Sequence, residues 1–183
     1  MKKLATVATL AILTASSVSA EGFYVGAGIS QERIKDSLPV SFKSTNAIAL
    51  IGYDINDMIS VEAETSLPVS KTSLETSLGT SFEGVNLSVN HTAVFAKFTL
   101  PTSGSFKPFA RAGMMKGTFK AVNIPSGEVE AEINDTVFSY GIGAEWALSE
   151  KFGLRVDYSM MEMSDDGSPA DVEVLALSSV YRF

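Results

Sequence analysis

The sequence contains no cysteine, one histidine and one tryptophan. Without cysteine there is neither a disulfide framework nor thiol chemistry. Basic residues are scarce, with 14 Lys and Arg against 21 Asp and Glu. Nucleic-acid partners are excluded on that ground, because phosphate binding demands clustered Lys and Arg. Long apolar runs are missing too, and no segment beyond the N-terminal leader approaches the ~20 residues that a membrane-spanning helix needs. A helical membrane protein is thereby excluded. A strand-built one is not.

What is present begins with "MKKLATVATLAILTASSVSA". Lys2 and Lys3 precede an apolar stretch from Leu4 to Leu13, and Val18-Ser19-Ala20 supplies small residues at the cleavage positions, the pattern of a secretory signal peptide. Residues 1–20 are therefore expected to be removed after Ala20, leaving a single domain over 21–183. Loss of Lys2 and Lys3 leaves 12 basic residues against 21 acidic ones, a charge of −9.

The mature sequence alternates with a period of two. In "SYGIGAEWAL", Tyr140, Ile142, Ala144, Trp146 and Leu148 alternate with Ser139, Gly141, Gly143 and Glu145. After "SEK" the pattern resumes in "FGLRVDYSMM", with Leu154, Val156, Tyr158 and Met160 against Gly153, Arg155, Asp157 and Ser159. Two alternating runs around a short polar break read as a β-hairpin. Eight strands follow: about 22–35, 44–55, 59–71, 87–100, 107–121, 136–148, 152–163 and 171–183. The connections "DSLPVSFK", "TSLETSLGTSFEGVN", "VNIPSGEVEAEIND" and "SDDGSPA" read as long, and "NDM", "PTSGSF" and "SEK" as short. Strict alternation of long and short links predicts an all-β, eight-stranded antiparallel up-and-down transmembrane barrel, with trimmed turns at one end and four outer loops at the other.

Composition decides which face meets lipid. A solvated exterior carries many charges. Here the polar face is mostly small, with Gly26, Gly28, Gly113, Gly141, Gly143, Gly153, Ser139 and Ser159, which suits the filled bore of an eight-stranded barrel. The other face carries Phe23, Phe98, Tyr140, Trp146, Phe152, Tyr158, Tyr181 and Phe183. An aromatic girdle is expected at Trp146, Phe152 and Tyr158. Unpaired strand edges in hydrocarbon cost several kcal/mol per backbone group, so the first and last strands must join.

Parity then places Glu62, Glu64, Lys97, Arg111, Glu145, Arg155 and Asp157 inside. Isolated charges in a narrow bore are costly, so Arg111, Arg155 and Lys97 are expected to pair with Glu62, Glu145 and Asp157. Glu145 and Arg155, equidistant from their turn, are expected to face each other. The cluster reads as a structural plug, with a gate as the alternative. His91 is read as a polar residue near the outer rim.

"GIGAEWALSEKFGLRVDYSM", "ISVEAETS", "FKPFARAGM" and the terminal "SSVYRF" together resemble the OmpA-like eight-stranded outer-membrane barrels over essentially the whole mature chain. The resemblance implies inner charges at Glu62, Arg111, Glu145 and Arg155. It also implies that Tyr181 and Phe183 form the signal read by the barrel-assembly machinery. The periplasmic peptidoglycan-binding domain of full-length OmpA proteins has no counterpart before Phe183, so the likeness is to the barrel-only, OmpX- or Ail-like members and small "porin family" barrels. Lipid A deacylases of this shape use a His-x-Ser pattern, but position 93 after His91 is alanine. No carboxylate pair, phosphate loop or His/Cys metal set stands out, so no enzyme, cofactor or metal is expected. The expected role is structural and surface-interacting in the bacterial outer membrane, as a monomer. The expected partners are lipid and lipopolysaccharide, and a host or envelope ligand at the outer loops. A narrow porin-like channel is the alternative.

Overall fold

The computed structural model describes residues 22–35, 40–69, 73–76, 85–123, 129–165 and 168–183. The leader falls outside these, as do the tips of the outer connections. Nine strands are formed: β1 Phe23–Lys35, β2 Val40–Asp54, β3 Ile59–Pro68, β4 Ser73–Thr76, β5 Val85–Thr99, β6 Phe106–Asn123, β7 Val129–Ala147, β8 Phe152–Asp165 and β9 Ser168–Arg182. All neighbours are antiparallel, and β1 pairs with both β2 and β9, so the sheet closes. β4 pairs only with the outer end of β2, beyond the stretch that β3 covers. The wall is thus an eight-stranded barrel in which β3 and β4 share one place.

Short turns are fixed by their own polar side chains. Asn56 Oδ1 accepts from the backbone N–H groups of Met58 and Ile59 at 2.9 Å each. Ser149 Oγ accepts from the N–H of Phe152 at 3.1 Å. These are the local side-chain bonds that favour Asn and Ser in turns.

The other end differs from the sequence reading. Most of what reads as long loop is strand: β7 begins at Val129, β2 at Val40, and β8 and β9 reach Asp165 and Ser168. Only 36–39, 77–84, 124–128 and 166–167, with 70–72 between β3 and β4, are left outside the described residues there. The alternation persists in "VEAEIN", but the acidic composition disguises it. Backbone ladders continue past the bilayer because water tolerates charge on both strand faces.

Lipid-facing residues form a band of defined height. On β8 it runs outward from Phe152 through Leu154, Val156 and Tyr158 to Met160, and on β6 from Phe106 to Met114. Nine residues at ~3.3 Å each, tilted by ~40°, rise about 23 Å, close to the hydrocarbon thickness that such barrels match. Above it the same face turns polar at Thr45, Thr65, Thr92, Lys116, Thr136 and Glu173. Ile142, 67% exposed, lies in the middle of the band.

One glycine sets how closely the wall packs. A Cβ on Gly113 would collide with the Val94 carbonyl oxygen and the Phe95 Cα of β5, which are backbone and cannot swing away. Gly113→Ala is expected to destabilise the barrel by about 1–3 kcal/mol through forced strand separation. Urea titration of the refolded barrel measures it. An unchanged midpoint would mean that the strands stand further apart at this point.

Candidate functional site

The inward face carries an unusual density of buried polar groups for so narrow a bore. At the short-turn end, Arg182 forms two hydrogen bonds with the Glu145 carboxylate, Nη2 to Oε2 at 3.0 Å and Nη1 to Oε1, and its Nε lies 3.7 Å from Asp54. Its side chain is 25% exposed, facing a vestibule of about 350 Å³ that Lys97, Lys107 and Asp57 also line.

Deeper in, Glu62 is the hub. Arg155 grips it with Nη1 and Nη2 donating to Oε1 and Oε2 at 2.6 and 3.0 Å. Lys97 Nζ lies 2.9 Å from Oε1, and the Tyr24 hydroxyl donates to the same oxygen at 2.6 Å. Arg155 Nε also donates to Asp157 Oδ2 at 3.2 Å. Arg111 joins the next layer: Nη1 donates to Glu64 Oε2 at 2.8 Å, Nε to Ser159 at 3.0 Å, and Nη2 stands 2.5 Å from Asp157 Oδ1. Aromatic faces complete the fit, with the guanidinium of Arg155 4.5 Å from the Phe109 ring and that of Arg111 4.2 Å from the Phe95 ring. Stacking of this kind adds attraction where water is excluded. Glu62 is 1% exposed and Arg155 fully buried.

Above this layer the bore is closed twice over. His91 is hydrogen-bonded at both ring nitrogens, to Glu32 Oε1 at 2.8 Å and Glu64 Oε1 at 3.1 Å. Ser66 and Asn46 flank it. Beside it, Ala93, Phe95, Met115, Met161, Val172 and Val174 pack as an apolar cluster. Among the described residues, the buried acids of the bore are Glu32, Glu62, Glu64, Glu145 and Asp157, against Lys97, Arg111, Arg155 and the half-buried Arg182.

All seven charges expected inside are inside, but the one specific pair expected does not form. Glu145 and Arg155 are register partners across β7 and β8, as expected, yet they are not ion-paired: Glu145 turns to Arg182, and Arg155 reaches across the bore to Glu62. An eight-stranded bore is narrow enough for an arginine to span, so the partner on the opposite wall competes with the one alongside. His91 is not a rim residue. It shares the inner face of β5 with Lys97, six positions on, and that even spacing was a signal for it. Tyr24, Glu32 and Arg182 were missed for the same reason, as each keeps the inward parity of its strand.

Outside the barrel, Trp146 and Phe152 are exposed near the short-turn end. Phe152, Tyr181 and Phe183 make successive edge contacts with ring centroids 5.0 and 5.1 Å apart. Tyr158 stands higher on β8, opposite Ile142 and Leu175, with a hydrogen bond to Glu173. It therefore occupies a different level from Trp146 and Phe152.

A closed antiparallel barrel with an apolar band outside and paired charges inside defines an integral outer-membrane β-barrel protein. The chain belongs to the family described as "Outer membrane protein beta-barrel domain", which matches residues 4–183. No curated protein matches the sequence. Among solved structures, neisserial surface protein A is 16% identical with a TM-score of 0.69, covering 91% of this chain and 100% of its own. Ail, the attachment invasion locus protein of Yersinia pestis, is 19% identical with a TM-score of 0.61, covering 89% and 99%; the same protein has been solved with the heparin analogue sucrose octasulfate. OprG from Pseudomonas aeruginosa is 11% identical with a TM-score of 0.61, covering 90% and 97%. At these identities the likeness establishes the fold.

Proposed function

We propose that this protein is a sealed, non-enzymatic barrel that works as a membrane-embedded scaffold, presenting its outer connections to ligands. One observation carries the reading: the Glu62–Arg155–Lys97–Tyr24 hub and the Arg111–Glu64–Asp157 layer lie across the bore with every member buried and bonded to another. The six-charge cluster Glu62, Lys97, Arg111, Glu145, Arg155 and Asp157 then acts as a structural plug. Interdependence favours that over a gate, because every member but Glu145, which Arg182 holds, bonds two or more neighbours.

Function is thereby assigned to the outer end, where scaffolded connections usually carry recognition. Lipopolysaccharide and outer-membrane lipid surround the wall, and a host or envelope molecule is the ligand at the outer connections. Binding of a sulfated sugar by the Ail fold supports that use. The outward-facing Tyr181 and Phe183 serve as the strand signal read by the assembly machinery, Trp146 and Phe152 anchor the inner interface, and Tyr158 adds an aromatic ring within the lipid band. The leader is removed after Ala20, and the mature barrel acts as a monomer without cofactor.

Planar-bilayer recording together with exchange of the outer connections tests this. The expected result is no steady conductance at neutral pH and loss of surface binding when the connections are exchanged. Reproducible channels altered by Glu145→Gln would establish the narrow-porin alternative instead.

A further inference from the structure

One buried acid of the bore, Glu32, has no lysine or arginine against it among the described residues. Among the described residues its one charged neighbour is His91. Glu64 lies against the opposite nitrogen of the same ring, and both carboxylates are essentially unexposed.

A neutral imidazole has one N–H and one bare lone pair, so it can donate to only one carboxylate. Ser66 Oγ accepts the His91 backbone N–H at 2.8 Å and has one proton to give, with Glu32 Oε1 at 3.1 Å and Nδ1 at 3.0 Å. With that proton on the Glu32 side, Nδ1, 2.8 Å from Glu32 Oε1, donates to the same oxygen. Glu64 is held ionised by Arg111 Nη1 on its other oxygen, so Nε2 must donate as well. Asn46 of β2, which accepts from Ser44 Oγ and donates to Ser66 Oγ at 3.5 Å, is uncharged, and β6 places Gly117 opposite His91.

We propose that His91 is a proton-operated latch: as an imidazolium it ties β1 and β3 to β5 across the outer half of the bore, and loss of that proton releases the tie and loosens that half of the wall. The closed form needs the proton, so alkali works against it. Deprotonation leaves a ring that can donate to only one of the two carboxylates, so one of the two ties is lost.

The chain has a single histidine, so nitrogen-15 labelling of histidine gives one unambiguous ring in the NMR spectrum of the full barrel in lipid nanodiscs. At neutral pH both ring nitrogens are expected to carry protons. One bare nitrogen overturns the latch, and needs no variant that could misfold. Urea titration of the barrel in lipid supplies the second arm: the wild type is expected to lose stability between neutral and alkaline pH, and His91→Arg, with its permanent cation, is expected to lose less. An equal alkaline loss in both proteins overturns the latch.

Discussion

Arg155→Ala is expected to lower the stability of the folded barrel by about 3–5 kcal/mol, the cost typical of breaking a buried pair from one side. The guanidinium holds both oxygens of Glu62 and one of Asp157, and it stacks on Phe109. Its loss leaves two buried carboxylates competing for Lys97 and Arg111. Those partners keep the effect toward the lower end of that range. Urea unfolding of the barrel refolded in lipid measures it, and the folded form should also lose its resistance to heating on a gel. The double variant Glu62→Gln with Arg155→Ala should recover part of the loss, since an amide in place of the carboxylate removes one stranded charge. Glu145 should be unaffected by Arg155→Ala, because Arg182 holds it. An unchanged urea midpoint would show that Arg155 is hydrated rather than locked.

The second large effect is expected on the opposite face. Ile142→Arg places a charge at the middle of the lipid band, where such substitutions cost about 2–4 kcal/mol. Thr92→Arg, at the upper polar edge of the same face, should cost only about 0–1 kcal/mol. The two positions differ in depth, so the comparison measures the depth of each site in hydrocarbon. Equal effects would mean that the band edge is misplaced.

The barrel was legible because alternation is a strong signal wherever each strand separates lipid from a filled bore. A one-residue slip there would put Arg155 in hydrocarbon and Leu154 in the bore, so composition and parity agree. Outside the bilayer that constraint vanishes, and "VEAEIND" read as loop although β7 runs through it. Inside, parity assigned the faces of Glu62, Arg111 and Arg155 but could not choose partners. Adjacent-strand reasoning paired Glu145 with Arg155, whereas the contacts that matter cross the bore, between strands distant in sequence. His91 was misjudged by treating it as an isolated polar residue instead of counting from Lys97, and Glu32 was missed with it.

The central claim is that apolar side chains of the wall face acyl chains while charged ones fill the axis. A chain without native cysteine permits single-cysteine spin labelling, position by position, along β8 from Gly153 to Met160 in lipid vesicles. Collision with oxygen, which partitions into lipid, should peak at 154, 156, 158 and 160 and fall at 153, 155, 157 and 159, with a water-soluble relaxer excluded from both sets. Strong relaxation of labels at 154 and 156 by the water-soluble reagent would contradict it.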